Sequence, residues 1–322
     1  MLKRIANRLF ISFAFFMVCA VPVWASEMLV PVGEVIGLEL QGNSVTVSAF
    51  DQSLPAGREA GLRIGDEIVS IDGEAIASAA DIRRALNRSD GDVDLVVSRD
   101  GQEKELRVEP DVTADGPRLG VFLRQGVTGI GTVTFYDPVT DAFGTLGHGV
   151  NDPGGALLSM TAGNVYPAGV VAVDRGRVGH PGQLRGSFSA DHRLGVISRN
   201  TVQGVFGTIQ GKMEGEAIPV GEAACVTTGP ATIRSTVDGS GPRDYSVEIL
   251  KIYPESRADG RNLLLRVTDP ALLSTTGGIV QGMSGSPLIQ DGKLIGAVTH
   301  VLVNDPTTGY GIFIENMLDA AS

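Results

Sequence analysis

The chain has 322 residues, 43% of them apolar and 20% charged, and its 26 Lys and Arg against 37 Asp and Glu give a formal charge of −11. That length holds two ordinary domains with sizeable cores, and the apolar share rules out a disordered chain. The acidic balance argues against a nucleic-acid partner, whose phosphates need a basic surface.

Met1 to Ala25 reads as an export signal. Lys3, Arg4 and Arg8 make a basic start, Leu9 to Val21 an apolar run, and Val23-Trp24-Ala25 a small-residue cleavage site. An uncleaved membrane anchor is the alternative. Loss of those three cations takes the formal charge to −14 and leaves Cys225 as the remaining cysteine, so no intrachain disulfide or cysteine-based metal site is expected.

From Val35 the pattern is one of short strands and turns. Val35 to Leu40 and Val45 to Phe50 read as strands, and Ala56 to Leu62 as a short helical piece that Gly61 ends in a left-handed cap. Ile68 to Ile71 is a strand closed by an Asp72-Gly73 turn. Ser78 to Asn87 is an amphipathic helix with Ala79, Ile82, Ala85 and Leu86 on one side. Val93 to Val97 and Glu105 to Val108 flank Arg99-Asp100-Gly101, a hairpin signal. Asp111 to Pro117 is polar and reads as a linker. Beyond it, short apolar segments alternate with Gly, Asp, Asn and Pro up to a terminal helix at Ile314 to Ala321. That spacing predicts an antiparallel barrel or sandwich.

Chemistry concentrates in Gly282-Met283-Ser284-Gly285-Ser286-Pro287. A serine among glycines, between two apolar runs, is how an exposed hydroxyl is presented, and the amides of Gly282 and Ser284 could converge as an oxyanion hole. A plain loop is the competing reading. A serine nucleophile needs a base and a group that orients it. Of the four histidines, His148 ranks first because glycines flank it, and His300 next; His180 and His192 read as loop residues. Asp269 is the leading acid, with Asp141 and Asp152 as alternatives. Asp269 followed by Pro270 is equally a helix N-cap signal. The histidines are too dispersed for a zinc motif, and no cofactor or metal is expected.

Two resemblances follow. Ala60-Gly61-Leu62, Gly65-Asp66-Glu67-Ile68 and Ser70-Ile71-Asp72-Gly73, with the helix and hairpin after them, resemble a PDZ domain of exported bacterial proteases. This implies a groove that takes a peptide or carboxy-terminus as an added strand, with Ile36, Gly37 and Leu38 nearest the terminal carboxylate. Gly147-His148, Gly277 to Pro287, His300 to Pro306 and Gly309 to Ile314 resemble the stage IV sporulation protein B (SpoIVB) peptidase family. The expected fold is mainly β, an N-terminal PDZ domain (28–112) followed by a chymotrypsin-like double β-barrel serine peptidase domain (113–322), behind a signal peptide or anchor (1–25). The resemblance implies Ser284 as nucleophile, His148 as general base and Asp269 as third member. It also implies self-cleavage, and cleavage of a membrane-associated regulator of an intramembrane metalloprotease in the space between forespore and mother-cell membranes. A PDZ scaffold with an inactive protease-like domain and a general exported quality-control protease are the competing functions.

Overall fold

The computed structural model describes residues 27–152, 155–257 and 259–322. The signal or anchor expected at 1–25 lies outside the described residues. Strands β1 (Met28–Pro31) and β2 (Val35–Gly42) come first, and β2 is apolar at alternate and adjacent positions because both of its faces are covered. The chain then leaves for a separate module and returns as β11 (Val127–Tyr136), which pairs antiparallel with β2 from Val35↔Thr132 to Leu40↔Val127. Four more strands, β12 (Ala142–Thr145), β13 (Met160–Asp174), β15 (Gly195–Thr201) and β16 (Gly204–Ile209), complete the ring β2-β11-β12-β16-β15-β13, and β13 closes it on the other edge of β2. β14 (Gln183–Phe188) extends β13.

The module between β2 and β11 holds the elements read as PDZ. Strands β3 (Thr46–Phe50), β4 (Glu67–Ile71), β6 (Val93–Arg99) and β7 (Gln102–Val108) form a sheet, with the two-residue β5 (Glu74–Ala75) beside β4. Helix α1 (Ala56–Glu59) is one turn; α2 (Ala79–Arg88) is the predicted amphipathic helix, burying Ile82, Ala85 and Leu86. It starts where Ser78 accepts from the Asp81 amide while Asp81 accepts from the Ala77 amide, a reciprocal cap. Asp66, 1% exposed, is gripped by Arg99 through two bonds of 2.7 Å, tying the Gly65-Asp66 turn to the β6–β7 hairpin.

Three expectations are corrected here. The stretch read as a linker folds as a hairpin, β8 (Asp111–Thr113) and β9 (Gly116–Arg118), and β10 (Val121–Arg124) then pairs with β3. The PDZ unit is therefore an insertion that runs through β10, and β1 and β2 belong to the first barrel; a boundary at 112/113 cuts through both. For the same reason Ile36, Gly37 and Leu38 do not form an open carboxylate nest: they pair with Pro167, Tyr166 and Val165 on one side and Gly131, Ile130 and Gly129 on the other. Both edges of that strand are taken, so no peptide can add there. The free edge next to α2 is that of β10, where Leu119, Val121 and Leu123 face Ile82 and Leu86 across a groove.

The second barrel is closed by β18 (Gly229–Ser235), β19 (Arg243–Ile252), β20 (Leu263–Val267), β23 (Asp305–Phe313), β22 (Lys293–Leu302) and β21 (Pro287–Gln290), in that order around the ring. Helix α3 (Pro270–Thr276) follows β20 and α4 (Ile314–Ala321) packs its Ile314 and Met317 against both barrels. The short strand β17 (Ile218–Pro219) pairs with β1 on the path between barrels. The mainly β, two-barrel architecture with a PDZ unit is as the sequence implied. Among the described residues no helix is long and apolar enough to cross a membrane.

Candidate active site

The Gly282–Ser286 turn leads into β21 and is clamped by the first barrel. Buried Thr132 on β11 donates from its hydroxyl to the Gly282 carbonyl at 2.8 Å and from its amide to the Ser284 carbonyl at 3.1 Å. Thr134 donates to the Gly285 carbonyl at 2.7 Å. Gly285 itself adopts φ +96°, and a Cβ there would sit 2.0 Å from the Thr132 carbonyl oxygen, so only glycine lets the two barrels meet this closely. With the carbonyls held, the amides of Gly282 and Ser284 donate to no acceptor among the described residues. Unpaired amides at positions two apart in a fixed turn are what an oxyanion requires.

His148 follows β12 on the other side of the same cleft. The chain reaches it through two left-handed residues, Leu146 at φ +68° and Gly147 at φ +67°. A Cβ on Gly147 would meet the Thr299 methyl at 2.8 Å, so this turn too is pressed against the second barrel. The His148 Nδ1 lies 2.9 Å from the Gly149 carbonyl. A carbonyl only accepts, so Nδ1 carries the proton and Nε2 keeps the lone pair of a base. Burial pushes the His148 imidazole below its ordinary value of 6.5, partly offset by the Gly149 bond. It is neutral, hence basic, at neutral pH.

His300, ranked second among the histidines from sequence, lines the same cleft. Its ring lies 5.2 Å from that of His148, centroid to centroid, and both line a cleft of about 540 Å³ together with Ser284 and Thr299. The His300 Nδ1 is buried without a hydrogen-bond partner among the described residues. Burial, then repulsion from His148 when it is protonated and from Arg261, push its pKa down to about 4, against an opposing pull from Asp259. Its place near the end of β22, sixteen residues past Ser284, was the available signal; its neighbour Thr299 accepts the Ser284 hydroxyl on its carbonyl at 2.7 Å. His180 and His192 are exposed loop residues, as expected.

No candidate acid meets His148. Asp269 caps α3: its Oδ1 accepts from the Ala271 and Leu272 amides at 2.9 and 3.0 Å, with Pro270 at the first helical position. It does not line the cleft. The cap reading of Asp-Pro describes what the side chain does, and the third-member role implied by resemblance finds no contact with the imidazole. Asp141 accepts from the Tyr136 hydroxyl and Asp152 from the Ala156 amide, both local bonds. The group placed to orient His148 is the Gly149 carbonyl. The carboxylate whose charge reaches His300 is Asp259, itself held by Arg257 at 2.7 and 2.9 Å.

Against known proteins, residues 116–318 match the family model "SpoIVB peptidase S55", and residues 35–109 match a PDZ domain model. The PDZ match begins inside β2, whose hydrogen bonds belong to the first barrel. Among curated proteins, one from Brucella suis biovar 1 (strain 1330) with a zinc-metalloprotease description is 35% identical over 75 residues, 23% of this chain and 20% of that protein. One from Rhizobium meliloti (strain 1021) with the same description is 34% identical over 87 residues, 27% of this chain and 23% of its own. The chain thus spans about a fifth of the length of these relatives. Among solved structures, the active form of the Rv3671c protease from M. tuberculosis has 16% identity and a TM-score of 0.37, over 62% of this chain and 75% of that one. The HtrA-type protease AlgW with a decapeptide has 14% identity and a TM-score of 0.36, over 61% and 52%. Likenesses of that size establish no shared site. The family model covers well over half of the chain, and on it the chain belongs to the SpoIVB peptidase S55 family of serine peptidases, with a PDZ domain inserted in its first barrel.

Proposed function

We propose that the protein cleaves peptide bonds by acyl transfer through Ser284, with His148 as general base and the amides of Gly282 and Ser284 as the oxyanion hole. The observation that carries this is the meeting of Ser284, a neutral His148 and two unpaired amides in one cleft between barrels. The Ser284 hydroxyl, bonded to the Thr299 carbonyl, turns about χ1 to hand its proton to the His148 Nε2 as it attacks the scissile carbonyl. The imidazolium that forms is steadied by the Gly149 carbonyl, then protonates the leaving amine, and water frees the acyl-enzyme by the reverse path.

The substrate in this reading is an extracytoplasmic part of a membrane-associated regulatory protein, and the enzyme also cuts itself. The PDZ insertion takes a peptide along the free edge of β10 beside α2. Export through residues 1–25 puts the enzyme outside the cytoplasm. The test is incubation of the purified chain, alone and with unfolded casein, followed by fragment mass spectrometry. Few cuts, all absent in Ser284→Ala and His148→Ala, are expected. Broad casein digestion would favour a quality-control protease, and self-cleavage that survives in Ser284→Ala would end the assignment.

A further inference from the structure

We infer that the residue on the acyl side of the scissile bond carries an uncharged apolar side chain, and that Lys, Arg, Asp and Glu are refused there. This rests on Ser284 as the nucleophile. None of the described residues that line the cleft is a Lys, Arg, Asp or Glu, and its ionisable members are His148 and His300; Arg261 and Asp259, whose charges reach His300, stand outside the lining. Both histidines are held towards the neutral form by burial.

The position of the apolar wall ties it to that residue. Pairing of β22 with the segment before β21 ends at Val298, whose amide and carbonyl bond to Ser286 and Gly285. From Thr299 to Leu302 this edge of β22 is open among the described residues, up to Val303, whose carbonyl accepts from the Gly179 amide at 2.9 Å, so a short extended stretch of substrate can lie along it as a strand. The Thr299 carbonyl, 2.7 Å from the Ser284 Oγ, is the first free acceptor on that edge once the hydroxyl turns away. A substrate amide bonded there places its own side chain against the segment that leads into the oxyanion turn. That segment carries Ile279 and Val280, largely buried, and Val301 of β22 and the half-exposed Val303 in the turn after it line the same cleft. Ile130 and Leu146 of the first barrel line the facing wall. Gln281 and Asn151 are the polar side chains in reach, and neither can neutralise a charge. A charged side chain would lose its water there and touch no counter-ion in the lining.

The test uses peptidyl diphenyl phosphonates that differ in this one residue (Val, Leu, Phe, Lys or Asp), with labelling of Ser284 followed by intact mass on the full chain and on Ser284→Ala. The Val, Leu or Phe probe is expected to react at least about 100-fold faster than Lys or Asp, a difference of about 2.7 kcal/mol. Equal rates, or a faster Lys or Asp probe, overturn the inference and leave the nucleophile standing. If no probe and no small fluorophosphonate labels Ser284, the nucleophile reading fails and the inference with it. Val301→Asp should raise the Lys-to-Leu rate ratio by about tenfold or more, because a carboxylate in the wall restores the missing counter-ion. The ratio is read on one preparation, so partial unfolding cancels. An unchanged ratio overturns the placement of Val301 in that wall.

Discussion

Asp269→Asn separates a helix cap from a catalytic acid. The Asp269 Oδ1 accepts two amides of the first turn of α3, and that turn carries Leu272, fully buried in the second barrel. Asparagine offers the same oxygen, and as an N-cap it ranks with aspartate, so stability should change by less than about 0.5 kcal/mol. Asp269→Ala leaves both amides without that acceptor and should cost about 1–2 kcal/mol. Neither change alters the His148 environment, so kcat should stay within about twofold in both. A third triad member behaves otherwise: the amide swap of such an acid lowers kcat by about 10⁴. Urea unfolding at constant m measures the first quantity and turnover of a quenched peptide the second. A fall of about 10³ or more in kcat for Asp269→Asn, with an unchanged unfolding midpoint, would refute the cap account.

Arg99→Ala strands Asp66 as a buried unpaired carboxylate and should destabilise the PDZ insertion by about 3–5 kcal/mol, read by urea unfolding. A loss under about 1 kcal/mol would show that this pair is solvated. His300 has a folded pKa of about 4 against 6.5 unfolded. Its contribution to stability is present above pH 6.5 and is lost as pH falls towards 4, because the unfolded chain then binds the extra proton. His300→Phe should flatten the pH dependence of the unfolding midpoint in that window; an unaltered slope would contradict it. Gly285→Ala forces a Cβ onto the Thr132 carbonyl and should lower kcat by about 100-fold or more while the PDZ insertion stays folded by hydrogen exchange. Full activity would show the turn is not set by that contact.

Local signals in this chain were legible where the chemistry is local. Asp72-Gly73 and Asp100-Gly101 are left-handed turn pairs, Gly61 ends its helical piece at φ +88°, and Ser78 and Ile314 mark real helix starts. Glycine and serine spacing also pointed to the Ser284 turn and to His148. What sequence could not carry was pairing across distance. β2 has the alternation of a strand, but nothing in Val35–Gly42 says that its partners are β11 and β13 rather than the PDZ strands that follow it. An insertion keeps the order of motifs and changes which barrel owns the strand before it. Asp269 shows the opposite case: the Asp-Pro cap signal was physical and local, and it describes the side chain where the acid reading does not. His300 ranked second because burial at a strand end looks alike whether a side chain faces a core or a cleft.

The most direct measurement is mass spectrometric mapping of a fluorophosphonate adduct on the full chain. The account predicts one adduct, on Ser284, that is lost in His148→Ala and kept in Asp269→Asn. An adduct on another serine, or one on Ser284 that forms equally fast without His148, would contradict it.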